Sequence, residues 1–128
     1  MIIDKKKRMT AQRGLIIKYL KGVRSHPTAE NVFRHVRKQM PSITLATVYR
    51  NLHLLAENSE IIRLNVNNEY HFDATTEMHQ HFVCNSCRTI KDIDNCRISR
   101  YALNKIREEN IPAEKVEIIF SGTCGECS

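Results

Sequence analysis

The sequence predicts an α+β chain of two small domains: three short helices and a hairpin in front, and a small α/β unit behind. Three observations carry this reading. The apolar spacing is helical up to Leu55 and strand-like from Ile61. Two Cys-x-x-Cys pairs, Cys84–Cys87 and Cys124–Cys127, lie in the second half. Charge is divided along the chain, with 13 Lys and Arg against 5 Asp and Glu in residues 1–72, and 7 against 9 in residues 73–128. A chain of 128 residues holds one ordinary domain or two very small ones, and very small domains need help to bury a core.

Leu15, Ile16, Tyr19 and Leu20 recur at helical spacing, with Arg13, Lys18 and Lys21 largely turned away, and form the first helix. His26-Pro27-Thr28 then breaks the chain. Thr28 is the expected N-cap of a second helix whose buried stripe is Ala29, Val32, Phe33, Val36 and Met40, and Pro41 ends it. Thr44 caps a third, in which Leu45, Val48, Leu52 and Leu55 face inward, Ala46, Thr47 and Arg50 lie opposite, and Tyr49 sits on the flank. Ile61–Val66 and Glu69–Phe72 read as strands, and Asn67-Asn68 suit the two positive-φ positions of a tight hairpin.

Three helices followed by a hairpin is the order of a winged helix. In that arrangement the third helix enters the major groove and the hairpin reaches the backbone or the minor groove. Arg50 has the fork to donate two bonds to guanine, while Thr47 and Tyr49 suit a thymine methyl or a phosphate. The basic front half, including Lys5, Lys6 and Lys7, supplies sequence-independent attraction to phosphate. A plain three-helix bundle would leave both the hairpin and the charge unexplained.

Residues 73–78 contain few core formers and read as a hinge between a DNA-binding domain, 1–72, and a second domain, 79–128. In the second domain, His79–Val83 and Thr89–Ile93 are expected strands joined by the first cysteine turn. Ile98–Glu109 is an expected helix, and Val116–Phe120 a strand leading to the second turn. Four thiolates in two tight turns suit tetrahedral, structural Zn²⁺ held by Cys84, Cys87, Cys124 and Cys127. With 36 residues between the pairs, the ion pins the C-terminus back onto the start of this domain. Such a site contributes ~10–16 kcal/mol to folding, so chelation is expected to unfold the second half. Cys96 remains, expected as a small residue packed near the start of the helix.

With sulfur saturating the zinc, His79 and His81 are surplus to it; two apart on a strand, they share one face. Asp92 lies on the neighbouring strand, Asp73 at the hinge, and His26 at the opening of the second helix. His35, His53 and His71 are expected to be surface or phosphate-contacting groups. A zinc hydrolase would use two His, an Asp and a water, but it leaves the basic front half unexplained. A constitutive architectural DNA binder would need only the structural zinc. A sensor with a second, reversibly bound metal accounts for both sets of residues. Met1-Ile2-Ile3 runs straight into Asp4-Lys5-Lys6-Lys7-Arg8 without the apolar segment of a signal peptide. Cysteines in metal-type pairs also suit a reducing compartment, and a cytoplasmic location is expected.

Arg8-Met9-Thr10-Ala11-Gln12-Arg13, His26-Pro27-Thr28-Ala29, Ala46-Thr47-Val48-Tyr49-Arg50-Asn51-Leu52, the stretch from Phe72-Asp73 through His79-Gln80-His81 to Cys87, and the last Cys-x-x-Cys together resemble the ferric uptake regulator (Fur) family. The resemblance covers nearly the whole chain. It implies a homodimeric, metal-activated repressor of palindromic operators and not an enzyme. Its fold would be an N-terminal winged helix-turn-helix followed by a C-terminal α/β dimerisation domain with a four-cysteine zinc site. Matched position by position, it implies a regulatory metal held by His26, Asp73, His79, His81 and Asp92, and DNA contacts by Arg13, Thr47, Tyr49 and Arg50.

Three imidazoles and two carboxylates suit Fe²⁺ or Mn²⁺ with a position left open. Because these ligands come from separate parts of the chain, one ion would set the angle between domains and so the spacing of two wings on DNA. Asp at position 92, where iron-uptake regulators more often carry Glu, resembles the peroxide-sensing PerR branch. There, bound iron reacts with hydrogen peroxide, a ligand histidine is oxidised and DNA is released. The alternative is an iron- or manganese-uptake regulator without peroxide sensing. The sequence departs from the family in a shorter segment before the first helix, in Arg88 where glycine is usual, and in lacking a histidine within residues 113–121 for an additional metal site.

Overall fold

The structure, a computed structural model, describes residues 5–128, with side chains from Met9 onward. The phosphate contacts expected of Lys5, Lys6 and Lys7 lie outside the described side chains. The chain divides into two compact units, one ending at Thr76 and the other beginning at Glu77.

The first unit contains helices α1 (Lys5–Lys21), α2 (Ala29–Val36) and α3 (Leu45–Glu57), followed by strands β1 (Ile62–Val66) and β2 (Glu69–Asp73). Ile16, Leu20, Val32, Val36, Val48, Leu52, Leu55, Ile61 and Phe72 form one buried core shared by the three helices, β2 and the turn before β1. Thr28 and Asn31 cap α2 reciprocally: Thr28 Oγ1 accepts from the Asn31 N–H at 3.3 Å, and Asn31 Oδ1 accepts from the Thr28 N–H at 3.1 Å. The helix ends at Val36, earlier than Pro41 suggests, and the N–H groups of Gln39 and Met40 both close onto the Val36 carbonyl. Proline disfavours helical geometry at the residue before it, so Met40 packs against the core from a turn.

Thr44 caps α3, its hydroxyl accepting from the Thr47 N–H at 3.2 Å. Leu45, expected to face inward, is 39% exposed. Ile43, just before the cap, takes the inward place and joins Val48 in the core, as a hydrophobic residue ahead of an N-cap commonly does. Inside the unit, buried Asn51 donates from Nδ2 to Gln12 Oε1 at 3.2 Å and so ties α3 to α1.

The hairpin turns through Asn67 and Asn68, both left-handed with φ of 53° and 65°, as the sequence predicts. Its ladder runs from Val66 opposite Glu69 to Ile62 opposite Asp73. Asp73, expected as the first hinge residue, is therefore the last paired residue of β2, because Ile62 across the ladder extends the pairing past Phe72.

The second unit is a three-stranded sheet, in the order β4-β3-β5, with one helix. β3 (Gln80–Cys84) runs antiparallel to β4 (Ile90–Ile93) and parallel to β5 (Ile119–Gly122). Asn95 caps α4 (Cys96–Glu108), accepting from the Arg97 N–H at 3.2 Å. The helix thus starts ahead of its first apolar residue, Ile98, and Cys96 stands exposed in its first turn instead of packed. Ser99 and Leu103 are its buried residues, and Gln80 Nε2 donates to Ser99 Oγ at 2.6 Å, joining α4 to the middle of the sheet. β5 begins later than expected, at Ile119, because the parallel register with β3 places that residue opposite His81.

Arg88, which closes the first cysteine turn, has φ of 63°, a left-handed conformation that glycine adopts without strain. Its N–H donates to the Cys84 carbonyl at 2.9 Å. No helix among the described residues is long and apolar enough to cross a membrane.

Truncating a fully buried core leucine leaves a cavity, so Leu52→Ala should destabilise the first unit by about 2–5 kcal/mol. A shifted urea midpoint for the helical circular-dichroism signal, with zinc content unchanged, is the measurement that checks it.

Candidate metal centres and nucleic-acid interface

The four paired cysteines converge. Their Sγ atoms all lie within 4.8 Å of one another, and Cys87 Sγ stands 3.8 Å from Cys124 Sγ. Tetrahedral zinc with Zn–S bonds of ~2.3 Å places its sulfurs ~3.8 Å apart, so the cluster has the dimensions of the ion. Backbone holds it: the N–H groups of Cys87 and Cys124 each point at Cys84 Sγ at 3.4 Å. The parallel ladder carries the second pair to the first, with the Asn85 N–H on the Gly122 carbonyl at 2.8 Å.

Proton chemistry in the cluster agrees. The backbone N–H of Cys124, then that of Cys87, stabilise the Cys84 thiolate and lower its pKa to about 6. The Cys87 thiol is lowered as well, chiefly by its bond with the Thr89 hydroxyl. Cys127, hydrogen-bonded first to Cys124 and then to Cys87 and Cys84, is pushed up to about 12, because the last proton leaves a cluster already negative. A divalent cation replaces that shared proton, and these residues fit Zn²⁺.

The harder ligands form two groups, one in each unit. In the second unit, β3–β4 register places His81 directly opposite Asp92, and His79 lies two residues before His81 on the same face. His79 Nε2 is 3.0 Å from His81 Nε2 and 3.4 Å from Asp92 Oδ1, and His81 Nε2 is 3.2 Å from that same oxygen. Three ligand atoms ~2.1 Å from one ion span a triangle of about these edges. The tautomer also fits. His79 Nδ1 is 2.7 Å from the Glu77 carbonyl, which only accepts, so in the neutral ring the proton sits on Nδ1 and Nε2 offers its lone pair.

In the first unit, His26 Nε2 faces Asp73 Oδ2 at 3.4 Å, and both side chains are buried. The other carboxylate oxygen accepts from the Thr75 N–H at 2.8 Å. His26 has φ of 53°, a strained conformation for a side chain of its size. Two bonds to the second hairpin strand hold it there: the Phe72 N–H on the Pro27 carbonyl at 2.9 Å, and His71 Nδ1–H on the His26 carbonyl at 2.7 Å. His71 is thus a support for His26, not the surface group expected of it. The signal in sequence was its place two residues before Asp73 on one strand face.

On the outer face of α3, Arg50 is exposed and Tyr49 is 44% exposed. Thr47 is half-buried, and its hydroxyl accepts from the Thr44 hydroxyl at 2.9 Å. Arg13 on α1 is half-buried, with its Nε enclosed and lacking a hydrogen-bond partner among the described residues. His35 is exposed, as expected, and stacks on Tyr19 with ring centroids 4.2 Å apart. His53, in contrast to expectation, is half-buried, its ring against Tyr49 of α3 and Tyr70 and Phe72 of the hairpin.

A profile of the ferric uptake regulator family matches residues 4–121. The chain belongs to that family. Among its relatives, the peroxide operon regulator of Bacillus subtilis is 28% identical over 122 residues, covering 94% of this chain and 84% of that protein. The peroxide-responsive repressor PerR of Staphylococcus epidermidis is 28% identical over 123 residues, covering 94% of this chain and 81% of that one. The crystal structure of the Campylobacter jejuni peroxide stress regulator superposes with a TM-score of 0.83 at 28% identity, covering 95% of this chain and 93% of that one. The Helicobacter pylori ferric uptake regulator shares the fold, with a TM-score of 0.77 at 19% identity over 91% of this chain and 79% of that one.

For this member of the family, each of Cys84→Ser, Cys87→Ser, Cys124→Ser and Cys127→Ser removes a soft ligand from a closed site. Zinc and the folded second unit should be lost together, as read by metal analysis and circular dichroism. Zinc must displace the proton that Cys127 retains, so zinc uptake should release protons and the apparent affinity should rise with pH. Competition against a chromophoric chelator at several pH values checks the sign, and an affinity that is flat or falling with pH contradicts it.

Proposed function

We propose that this chain is a metal-dependent transcription repressor that binds palindromic operator DNA as a homodimer in the cytoplasm and releases it on exposure to peroxide. It is not an enzyme: the metal switches DNA binding and turns over no substrate. The observation that carries the reading is the triangle of His79, His81 and Asp92, beside a separate sulfur cluster that already satisfies a structural zinc. Family membership and relatives named for peroxide response support it.

In this proposal residues 1–72 bind DNA through Arg13, Thr47, Tyr49 and Arg50, residues 73–78, which begin with the last residue of β2, act as the hinge, and residues 79–128 dimerise and hold zinc. One regulatory Fe²⁺ or Mn²⁺ takes His26 and Asp73 from the first unit and His79, His81 and Asp92 from the second. Nitrogen and carboxylate donors suit these ions better than sulfur does. Such an ion binds the DNA-competent arrangement more tightly than any other, which is what couples metal to DNA affinity.

Fe²⁺ held there would supply the redox chemistry for transfer of one peroxide oxygen to an imidazole, with the other leaving as water. The chain's part is to hold imidazoles at the reacting ion, His79 oriented by the Glu77 carbonyl and His26 by the second hairpin strand. Oxidation of either ring would take a lone pair from the set and weaken its hold on the ion.

The test uses a duplex selected from a random pool by the Mn²⁺-loaded protein. His81→Ala should keep its zinc and fold yet lose metal-dependent binding to that duplex. With Fe²⁺, peroxide should abolish binding and add one oxygen to a peptide containing His26 or His79, whereas the Mn²⁺ form stays active. Unmodified histidines and retained binding in the iron form would leave an iron- or manganese-responsive regulator without peroxide sensing.

A further inference from the structure

His53 has no part in metal binding, and it lies one turn beyond Tyr49 on the inner flank of α3. Its Nδ1 is 2.6 Å from Arg63 Nη1 on β1. A guanidinium only donates, so Nδ1 accepts and the ring is the neutral tautomer with its proton on Nε2. That Nε2 is enclosed, with no hydrogen-bond partner among the described residues. The ring packs against Tyr49 at 4.4 Å between centroids and meets Tyr70 and Phe72 of β2 edge-on at 5.2 and 5.8 Å. The Arg63 guanidinium in turn lies over the Tyr70 ring at 5.3 Å.

One imidazole thus touches the third helix and both strands of the hairpin. Apart from the rings of Tyr49 and Tyr70, the ionisable groups that act on it are Arg63 and, on α3, Glu57. We infer that His53 is a positioning residue for DNA binding: as a neutral imidazole it bolts Arg63 and the hairpin to the third helix, and protonation of the ring opens the bolt. This rests on the reading of α3 and the hairpin as the DNA-binding elements. A protonated ring has no lone pair for Arg63 and sets a second cation against the guanidinium in a partly buried site.

Burial first, and the Arg63 charge second, hold the His53 pKa below the ordinary histidine value, with Glu57 opposing. The sign follows: the bolt is present above the ordinary value, where the ring is neutral in any state, and is lost as pH falls through the lowered one.

The experiment compares full-length, Mn²⁺-saturated wild type, His53→Gln and His53→Ala on the selected duplex, from about pH 7.5 down to about pH 5.5. Bound Mn²⁺ is measured at every point, and only points with full occupancy are used. Glutamine accepts from Arg63 but does not titrate. At the upper end His53→Gln should bind within about twofold of wild type, and His53→Ala about tenfold more weakly. As pH falls, wild type should weaken relative to His53→Gln, since the metal-site histidines are common to both.

A wild-type to His53→Gln ratio that stays constant with pH overturns the inference, as does a folded His53→Ala that matches wild type throughout. Should His53→Ala fail to fold, the ratio alone decides. A wild type that binds no duplex with Mn²⁺ even at the upper pH instead overturns the repressor reading, and this inference falls with it.

Discussion

Strand β3 is paired along both edges, antiparallel to β4 and parallel to β5, and the ligand geometry of the second unit depends on that double ladder. One edge sets His81 against Asp92; the other brings the second cysteine pair back to the first, with Cys84 opposite Gly122. Alternation then sorts the strand's faces. His81, with His79 just ahead of the strand, faces Asp92, while Gln80 points the other way and meets Ser99 of α4. A slip of one residue would turn both histidines towards the helix and separate Gln80 from its partner. The buried amide–hydroxyl bond therefore makes the correct register the favoured one, beyond what apolar packing alone specifies.

Two kinds of donor are kept apart in the second unit, and each is prepared by backbone. Sulfur sits in tight turns where peptide N–H groups favour thiolate, and the His79 imidazole is aimed by the Glu77 carbonyl, which fixes its tautomer. The first unit prepares its ligands with the same means. The hairpin lends one N–H to Pro27 and one imidazole to the His26 carbonyl, and so holds His26 in a conformation it would not keep alone. Soft and hard metals can then be distinguished by ligand type, since raw affinity orders divalent ions much the same way at any nitrogen, oxygen or sulfur site.

Much of this was legible in the sequence because local chemistry decided it. Thr28, Thr44 and the Asn67-Asn68 turn did what their side chains and φ preferences dictate. The cysteine spacing and the two-residue offset of His79 and His81 forecast which atoms would converge. What stayed hidden was set by partners distant in sequence. Leu45 has a helical, inward-looking position, yet Ile43 reached the core first. Asp73 looked like linker until Ile62 paired with it. His53 and His71 look like surface histidines in any local window, and only the hairpin folding back against α3 and the His26 loop encloses one and employs the other. Asn51 likewise needs Gln12, 39 residues away, before its burial makes sense.

The double pairing of β3 also governs where this chain can change in length. From His79 to Cys87 every residue either serves a ladder, a ligand or the turn that closes on Cys84, so an added or lost residue would displace sulfur and imidazole together. The segment between α4 and β5, which includes Ile111, Pro112 and Glu114, belongs to no helix or strand and is largely exposed. Loop closure grows costly only slowly with length. Insertions there leave both ends of the ladder in place, so this stretch should accept a change in length that residues 79–87 should not.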